Sequence, residues 1–322
     1  MHIINPQISV AMASYNGSQF ILEQVESILS QTVMPFEIVI VDDASSDDTT
    51  RLIQSLSQSS KIPVRLIVNE RNLGSTASFG RAILECKGDW IALADQDDVW
   101  LPNKLQTLIH KAVCDHCDAV FSDAELVDED LRSLNKRLLD NSRITRSMRK
   151  AFRDGNAFGA LMRYNIVTGA TMMFRSTWKD RVTPVASGWV HDYWMALIIA
   201  SSGRIGLCEE PLILYRQHGR NQIGANAGLS SELNRSFSKS REAYLVEANQ
   251  FARIRESLEA KGIGNPSIIA NFENKERFLR RRYEMRESIV TRMWNVILNI
   301  LQGNYFKYGY GWRPMLKDVL LP

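Results

Sequence analysis

Three carboxylates stand within four positions in the stretch Asp95-Gln96-Asp97-Asp98. They follow directly after the apolar run from Trp90 to Ala94, which has the length and composition of a buried strand. A strand interior cannot hold such a cluster without partners, because each desolvated charge costs several kcal/mol. The carboxylates are therefore predicted to lie just past the end of a strand, facing water or a bound ion.

Carboxylate oxygens crowded in this way are hard ligands, and hard ligands suit Mg²⁺ or Mn²⁺ ions that bridge to phosphate oxygens. The spacing of the three residues fits a solvated acidic turn equally well when it is taken alone. The elements around the cluster must decide between these two interpretations.

A regular alternation of strand and helix patterns fills the first part of the chain. Short apolar runs predict strands, and each is followed by apolar residues at helical spacing. The predicted strands are 8–13, 37–41, 64–68 and 90–94. This alternation predicts βαβ units, and hence an α/β fold with a Rossmann-like, mostly parallel sheet flanked by helices.

Polar residues stand at the carboxyl ends of three of those strands. They are Ser14-Tyr15-Asn16, Asp42-Asp43 and the acidic cluster at 95–98. Ligands of open α/β sheets bind beyond the carboxyl ends of the strands. Convergence of the three strand ends on one crevice therefore favours a ligand site over a solvated turn.

The strand–helix alternation weakens after residue 122. The Arg-rich segment 130–165 is predicted to be a mobile loop or irregular helix. Four further elements are predicted: a strand at 166–174, an apolar helix from about 191 to 203, a strand at 207–215, and two helices over 231–302 with one break at 262–266. Pro211 predicts that the 207–215 strand lies at a sheet edge, because proline cannot donate to a central ladder.

Three blocks of sequence together resemble the inverting family-2 glycosyltransferases of GT-A fold. The blocks are 8–16 with 38–47, 88–90 running into 95–98 with Pro102 beyond, and 191–194 followed by 214–218. The resemblance covers roughly residues 7–228 and implies a GT-A nucleotide-sugar domain over 1–228, with a helical C-terminal region over 229–322. Within the family, Asp-Gln-Asp-Asp-Val-Trp and His-Asp-Tyr-Trp look most like the bacterial rhamnosyltransferase group.

The resemblance implies a nucleotide-sugar site at the strand ends. Tyr15 would stack on a pyrimidine base, since aromatic surface does so at low cost. Asp43 would accept the imide N–H of the base, which favours uracil or thymine. Asp95 would bond the ribose or the water shell of the metal, and Ala13 and Gln96 complete this predicted site.

The same resemblance implies the metal site and the base. Asp97 would coordinate a Mg²⁺ or Mn²⁺ ion that neutralises the departing diphosphate, with Asp98 in support and His218 as a further ligand. Asp192 would be the general base that deprotonates the acceptor hydroxyl. His191 stands where relatives often have Glu. Inverting transfer needs one displacement, so it needs no nucleophilic Ser, Cys or Lys.

These residues predict a metal-dependent inverting glycosyltransferase that uses a nucleoside-diphosphate sugar. dTDP-rhamnose is the favoured donor and a UDP-sugar the alternative. The expected acceptor is a saccharide, favoured in its lipid-linked form, in cell-surface polysaccharide or O-antigen synthesis. A sugar nucleotidyltransferase is a second class, but it needs a Gly-rich basic loop that the segment 14–17 does not provide. An inactive GT-A scaffold is the third interpretation.

The cysteine content, the targeting signals and the pI of the sequence bear on the location and the partners of the protein. Four cysteines in 322 residues do not form a disulfide framework, and no signal peptide or long apolar span is visible, so a cytoplasmic location is expected. A pI of 8.6 without a binding motif argues against nucleic acid as a partner.

The C-terminal region carries its own signals. From Ser231 onward, 16 Lys and Arg stand against 10 Asp and Glu. An apolar stripe of Trp294, Ile297, Leu298 and Leu301 is typical of a buried helix face. The aromatic and basic residues that follow it favour peripheral membrane contact instead; these are Tyr305, Phe306, Lys307, Tyr308, Tyr310, Trp312 and Arg313. Both interpretations stay open at this point.

Overall fold

The structure is a computed structural model that describes residues 6–141, 144–219, 240–285, 288–309 and 311–320. One mixed sheet of nine strands organises the described residues. The strands are β1 (Ile8–Ser14), β2 (Glu37–Asp42), β3 (Val64–Val68), β4 (Trp90–Ala94), β5 (Val99–Trp100), β6 (Ala119–Val127), β7 (Ser133–Arg137), β8 (Met172–Arg175) and β9 (Ile205–Arg216).

The strand order is β3-β2-β1-β4-β8-β6-β9-β5, and β7 pairs with β6 outside that order. The ladders from β3 to β4 and the long β6–β9 ladder are parallel, whereas β5, β7 and β8 join antiparallel. The predicted α/β class with a mostly parallel sheet is confirmed, and the four early strands lie within one residue of their predicted bounds.

Helices cover both faces of the sheet. They are α1 (Ile21–Leu29), α2 (Thr49–Ser59), α3 (Ser75–Glu85), α4 (Lys104–Cys114), α5 (Leu138–Asn141), α6 (Arg146–Arg153), α7 (Ala157–Leu161), α8 (Lys179–Val182), α9 (His191–Ser202), α10 (Arg241–Ala260), α11 (Pro266–Glu284), α12 (Ile289–Leu301), α13 (Asn304–Lys307) and α14 (Trp312–Leu320). Helices α1, α2 and α4 share one core with the sheet, and α3 and α9 share the other.

Alternation along the central strands explains the two cores. In β2, Ile38 and Ile40 enter the core with α1, while Val39 and Val41 enter the core with α3. All six residues of β2 are buried, as expected for a parallel strand covered on both faces. The carboxyl ends of β1, β2 and β4 therefore meet at one edge, which is where the polar residues follow.

The second half of the chain departs from the prediction in several places. The segment 130–165 contains β7, α5, α6 and α7, which the weak periodicity of its Arg-rich sequence concealed. The predicted strand at 166–174 begins only at Met172, because Gly169–Thr171 forms a turn of 3₁₀ helix. The segment 130–165 is thus more ordered than predicted, and the strand predicted at 166–174 is shorter than predicted.

Pro211 does not mark an outermost strand. Strand β9 lies between β6 and β5, and Pro211 pairs with Asp123 where the register of the β6–β9 ladder shifts. An irregular ladder tolerates a residue without an N–H, so the proline signals a bulge instead of an edge.

The C-terminal region packs on the face of the sheet that carries α9. The Trp189 ring lies 5.5 Å from that of Phe251 in α10, and its Nε1 donates to the Gln250 carbonyl at 3.0 Å. Two helices were predicted over 231–302, but α11 ends at Glu284 and a third helix, α12, begins at Ile289. The predicted boundary at 228/229 lies outside the described residues.

Candidate functional site

The acidic cluster occupies the connection between β4 and β5, as predicted. Asp98 is only 1% exposed, and its Oδ1 accepts a hydrogen bond from the Arg216 amide at 3.1 Å. Its Oδ2 is buried with no hydrogen-bond partner among the described residues. Burial, reinforced by the charges of Asp97 and Asp95, raises the pKa of Asp98 well above its ordinary value.

Asp95 shares this environment. Burial is the main cause that raises the pKa of Asp95 to about 7, and the charges of Asp97 and Asp192 add to it. Negative charge is thus concentrated here to the point at which a carboxylate resists ionisation. Such a cluster favours a cation.

A buried lysine lies beneath the cluster. Lys104 is fully buried at the start of α4, where its Nζ donates to the Ala170 carbonyl at 2.7 Å and lies 3.4 Å from the centroid of the Trp100 ring. Burial lowers the pKa of Lys104, and the charges of Asp98 and Asp95 oppose that shift. Nothing in the sequence marks Lys104 as a site residue, since a lysine at a helix start usually faces water.

Arg216 ties the cluster to the end of β9. This residue is 2% exposed; its Nε donates to the Asp97 carbonyl at 2.8 Å, and its guanidinium pairs with Glu23 at 2.5 Å. Together with the hydrogen bond from its backbone N–H to the Asp98 carboxylate, these contacts hold the acidic turn in place. The position was visible in the Leu214–His218 block, but its role was not.

His218 meets Asp97 as the sequence predicted. The His218 Nε2 lies 2.8 Å from the Asp97 Oδ2, and the histidine ring stacks on Phe20 with centroids 5.0 Å apart. The side chain of Asp97 remains 16% exposed. The pair therefore brings one oxygen and one nitrogen donor together, with Asp97 partly exposed and His218 8% exposed.

Gln96 joins the acidic turn to the end of β1. Its Oε1 accepts from the Tyr15 amide at 2.9 Å and its Nε2 donates to the Tyr15 carbonyl at 3.1 Å. A Cβ on Gly17 would lie 2.2 Å from the Gln96 Oε1, so only glycine allows this approach. The Tyr15 side chain is 47% exposed and available as a stacking surface, while Ala13 is partly buried opposite Val41.

Asp43 lies at the end of β2 and is 2% exposed. Its carboxylate accepts hydrogen bonds from the Asn69 amide group and from the backbone of Leu73 and Gly74, at 2.7 to 2.9 Å. Burial raises its pKa, but the hydrogen bonds outweigh burial and leave the pKa below its ordinary value. In this structure Asp43 orders the 73–74 turn, and a bond to a nucleotide base stays a prediction.

Asp192 lies in the first turn of α9 and is 8% exposed. Its Oδ1 accepts from the Asn165 side chain at 3.0 Å and from the Tyr193 amide at 2.5 Å, and its Oδ2 accepts from the Gly169 amide at 3.1 Å. Burial raises the pKa of Asp192 to about 6, although these bonds pull it down. The carboxylate is oriented, and it is charged at neutral pH with high proton affinity.

His191 is packed against the same turn. It stacks on Phe79 with centroids 4.2 Å apart, and neither ring nitrogen has a hydrogen-bond partner among the described residues. Burial lowers the pKa of His191 to about 4, so the ring is neutral near pH 7. A Cβ on Gly169 would lie 2.7 Å from the His191 Nε2, which explains the glycine at that position.

Asp192 and the acidic cluster lie close enough to interact electrostatically. The charge of Asp192 acts on Asp95, and the charges of Asp95, Asp97, Asp98 and Asp192 all act on Tyr215 in β9. Elements distant in sequence, β4, α9 and β9, therefore converge as the three blocks predicted. Of the residues that orient Asp192, Asn165 ends the segment 130–165 whose structure the sequence concealed, and Gly169 lies in the 3₁₀ turn where a strand was predicted.

The residues present fit a divalent cation in donor type. Asp97 and His218 supply an oxygen and a nitrogen, and the Asp98 Oδ2, which has no hydrogen-bond partner among the described residues, is a further oxygen. Within the described ranges no three His, Cys, Asp or Glu side chains are grouped as a complete metal site. A Mg²⁺ or Mn²⁺ ion here would draw its remaining ligands from phosphate and water, as such ions commonly do.

No helix in the described part of the chain is both long and apolar enough to cross a membrane. This observation agrees with the sequence, in which charged and amide side chains interrupt the apolar run of α12.

The family model for glycosyl transferase family 2 matches residues 9–180, which is more than half of the chain. An uncharacterized glycosyltransferase of Nostoc sp. is 25% identical over 231 residues, covering 70% of this chain and 69% of the relative. The dTDP-rhamnosyl transferase RfbG of Shigella flexneri is 26% identical over 230 residues, covering 70% and 77%. The match to the succinoglycan biosynthesis protein ExoO of Rhizobium meliloti, 33% identical, spans 40% of this chain and only 36% of that protein.

Solved structures agree with the observed architecture. S. aureus TarS 1-349 superposes with a TM-score of 0.56 at 17% identity, covering 93% of each chain. A mannosyltransferase from Pyrobaculum calidifontis in complex with GDP-Man and Mn2+ gives a TM-score of 0.52 at 13% identity, covering 98% of this chain and 86% of that one. The fold is the GT-A fold of glycosyltransferases, and the family match shows that the chain belongs to glycosyl transferase family 2.

Proposed function

We propose that this member of glycosyl transferase family 2 is an inverting, metal-dependent enzyme that moves a sugar from a nucleoside diphosphate to a saccharide hydroxyl. The observation that carries the proposal is the environment of the Asp192 carboxylate. Its carboxylate is oriented by three hydrogen bonds, has a pKa raised to about 6, and acts electrostatically on the acidic turn at 95–98.

Asp192 would serve as the general base. Its carboxylate accepts the proton of the acceptor hydroxyl while that oxygen bonds to the anomeric carbon and the bond from that carbon to the diphosphate breaks. The diphosphate leaves with the bonding electron pair, so one displacement inverts the anomeric centre. Asn165 and the Gly169 amide hold the carboxylate in place, as a base acting near neutral pH requires.

Asp97 and His218 would hold the divalent cation, with Asp98 in support. When bound, the cation supplies positive charge that offsets the charge developing on the diphosphate. Arg216 fixes the backbone of Asp97 and the carboxylate of Asp98 through its own hydrogen bonds. The donor end of the site is therefore positioned before substrate arrives.

The nucleotide would lie over the ends of β1 and β2. The exposed Tyr15 ring offers a stacking surface for the base, and Gln96 fixes the Tyr15 backbone. Ala13 and Asp95 would contact the nucleotide and ribose. Asp43 would act on the base, either directly or through the 73–74 turn that its carboxylate holds.

The favoured donor is dTDP-rhamnose, and a UDP-sugar is the alternative. Rhamnose is supported by the amino-acid sequences of the acidic motif and of the 191–194 motif, and by the similarity to a dTDP-rhamnosyl transferase. Another relative, 30% identical over 121 residues, is a UDP-Glc:alpha-D-GlcNAc-diphosphoundecaprenol glucosyltransferase from Escherichia coli. By analogy, the acceptor would be a lipid-linked saccharide at the inner face of the cytoplasmic membrane, in polysaccharide or O-antigen synthesis.

A donor screen tests this proposal. The chain is incubated with thymidine- and uridine-diphosphate sugars, with Mg²⁺, with Mn²⁺ or with a chelator, and release of nucleoside diphosphate is measured. Metal-dependent release from one donor, lost in Asp192→Asn, is expected. Equal release in the chelator would contradict the metal assignment, and release from no nucleotide sugar in the panel would contradict the proposed donor class.

A further inference from the structure

Helix α12 buries two asparagines and one valine, Val296, and leaves most of its apolar residues exposed. Asn295 and Asn299 are 6% and 0% exposed, whereas Trp294 and Leu301 are 63% and 78% exposed. A helix on a protein surface in water normally turns its apolar stripe to the core. Exposure of the apolar stripe of α12 indicates that this surface contacts an apolar partner.

The exposed apolar surface continues beyond α12. Of the large apolar side chains that are exposed in the described ranges, half lie within residues 289–320. We call this surface the apolar face; its residues are Ile289, Val290, Met293, Trp294, Ile297, Ile300, Leu301, Phe306, Trp312, Leu316 and Leu320. Singly scattered apolar residues need no explanation, but a contiguous helix stripe of this kind marks an interaction surface.

The exposed charged residues between 288 and 320 are all basic among the described residues. From Ser288 to Pro322 the sequence has four Lys and Arg and a single acid, Asp318. Asp318 is 8% exposed and binds Arg282 through two hydrogen bonds of 2.6 and 2.7 Å. Lys307 and Arg313 are exposed and lie 5.1 and 5.7 Å from the rings of Tyr308 and Trp312.

We propose that the apolar face docks peripherally on a membrane whose headgroups are anionic. Aromatic and basic side chains beside an apolar helix stripe match the interface between headgroups and acyl chains. A second copy of this chain fits less well, because a symmetric contact would bring the exposed cations of the two copies together without acidic partners. The proposal stands on this surface and not on the transfer activity proposed above.

The tryptophans supply a local probe. Trp294 and Trp312 are 63% and 55% exposed and both belong to the apolar face, whereas the other five tryptophans are at most 6% exposed. The buried five are Trp90, Trp100, Trp178, Trp189 and Trp194. Fluorescence quenching by brominated lipid therefore reports on this surface without any substitution.

The test is binding of the full chain to vesicles of phosphatidylcholine alone, or of phosphatidylcholine with about a third phosphatidylglycerol. We expect binding at least about tenfold tighter to the anionic vesicles, weakened by salt, because exposed Lys and Arg add affinity at such surfaces. Quenching of tryptophan fluorescence by brominated acyl chains should accompany binding.

Two variants localise the contact. Ile297→Glu places a charge in the centre of the apolar face and should weaken vesicle binding about tenfold or more. Val113→Glu is the matched control: Val113 is 52% exposed at the end of α4, so this change should leave binding unaltered. Circular dichroism checks that both variants fold.

Three results would overturn the proposal. They are absence of binding to anionic vesicles, binding that Ile297→Glu leaves unchanged, and no quenching in the parent chain by brominated lipid. Sedimentation without lipid gives a further contradiction, if the chain is a dimer that Ile297→Glu converts to a monomer. Because no nucleotide sugar is used, failure here is distinguishable from failure of the transferase proposal.

Discussion

The acidic turn at 95–98 and the apolar face of α12 to α14 each reverse the usual distribution of side chains. The turn keeps carboxylates where burial raises the pKa of Asp95 to about 7, and the helix keeps Leu301 78% exposed. Both arrangements cost stability in the isolated chain. In each region a binding partner would offset this cost. The partner proposed for the acidic turn is a cation with a diphosphate, and the partner proposed for the apolar face is a lipid surface.

The two regions differ in how they are held. Gln96 ties the acidic turn to the Tyr15 backbone, and Arg216 donates to the Asp98 carboxylate and the Asp97 carbonyl. The helices that carry the apolar face are anchored behind it, by the buried Arg282–Asp318 pair, to which the Tyr305 hydroxyl donates at 2.9 Å, and by Lys275, whose Nζ donates to the Tyr308 carbonyl at 2.8 Å. Preorganisation at the turn suits chemistry that requires fixed geometry, whereas a docking face requires only that its helices stay folded.

The largest effect expected at the acidic turn is the loss of turnover when Asp97 is removed. Asp97→Ala should lower turnover by about 10³-fold or more, because it removes the oxygen donor proposed to hold the cation beside the diphosphate. Steady-state transfer assays with added Mg²⁺ or Mn²⁺ measure this loss. Asp140→Ala, at an exposed acid on α5, is the control and should retain parental turnover. Turnover of Asp97→Ala near the parental value would remove Asp97 from the site.

Removal of Asp318 should act on stability and not on chemistry. Asp318→Ala leaves the 92%-buried Arg282 without its partner and should lower the free energy of unfolding by about 3–5 kcal/mol. Glu273→Ala breaks the exposed Arg277–Glu273 pair, at 2.7 Å, and should cost at most about 1 kcal/mol. Denaturant unfolding measures both. Equal losses would show that the buried pair does not anchor α12 to α14.

The pH dependence of transfer should follow Asp192. Since its pKa is raised from 3.8 to about 6, kcat/KM should fall about tenfold per pH unit below 6 and level off above it. Neutral His191, with its pKa lowered to about 4, does not titrate in that range. Asn165→Ala removes a donor that lowers the pKa of Asp192, so its inflection should move to higher pH. An unchanged inflection in Asn165→Ala would assign the profile to another group.

The smallest expected effect is a gain in stability at the acidic turn. Asp95 ionises near pH 3.8 in the unfolded chain and only near pH 7 in the folded chain. The fold therefore loses stability as pH rises through this range, and above pH 7 the ionised carboxylate destabilises it in full. Asp95→Asn should therefore raise Tm at pH 8 by a few degrees. Calorimetry without divalent cation measures the shift, with Asp140→Asn as control. A lower Tm in Asp95→Asn would contradict the account of crowded charge.

The early part of the fold was predictable because its signals are local. The apolar runs 8–13, 37–41, 64–68 and 90–94 each form a strand, since continuous apolar sequence bounded by polar turns has few other solutions. The segment 130–165 was not predictable, because β7 and its short helices depend on packing against β6 and α9 more than on their own periodicity. The burial of Asn295 and Asn299 likewise inverts the pattern from which burial is inferred.

The candidate site was predictable in its carboxylates and not in its supports. Asp97 and His218 come together as predicted, and Asp192 acts on the same cluster. Lys104, Asn165 and Gly169 carry no signal in a single sequence, because their roles arise only when α4, β8 and α9 meet. The contact of Asp43 with a base and the ligand roles at 97, 98 and 218 remain predictions.

Asp192→Asn tests the central claim most directly, with turnover and donor affinity measured on the same preparation. Asparagine keeps the size of the side chain but cannot accept the proton, so turnover should fall by about 10²–10⁴-fold. Donor affinity from titration calorimetry should stay within about threefold of the parent, since Asp192 is proposed to act on the acceptor. Parental turnover in this variant, or loss of donor binding together with turnover, would contradict Asp192 as the base.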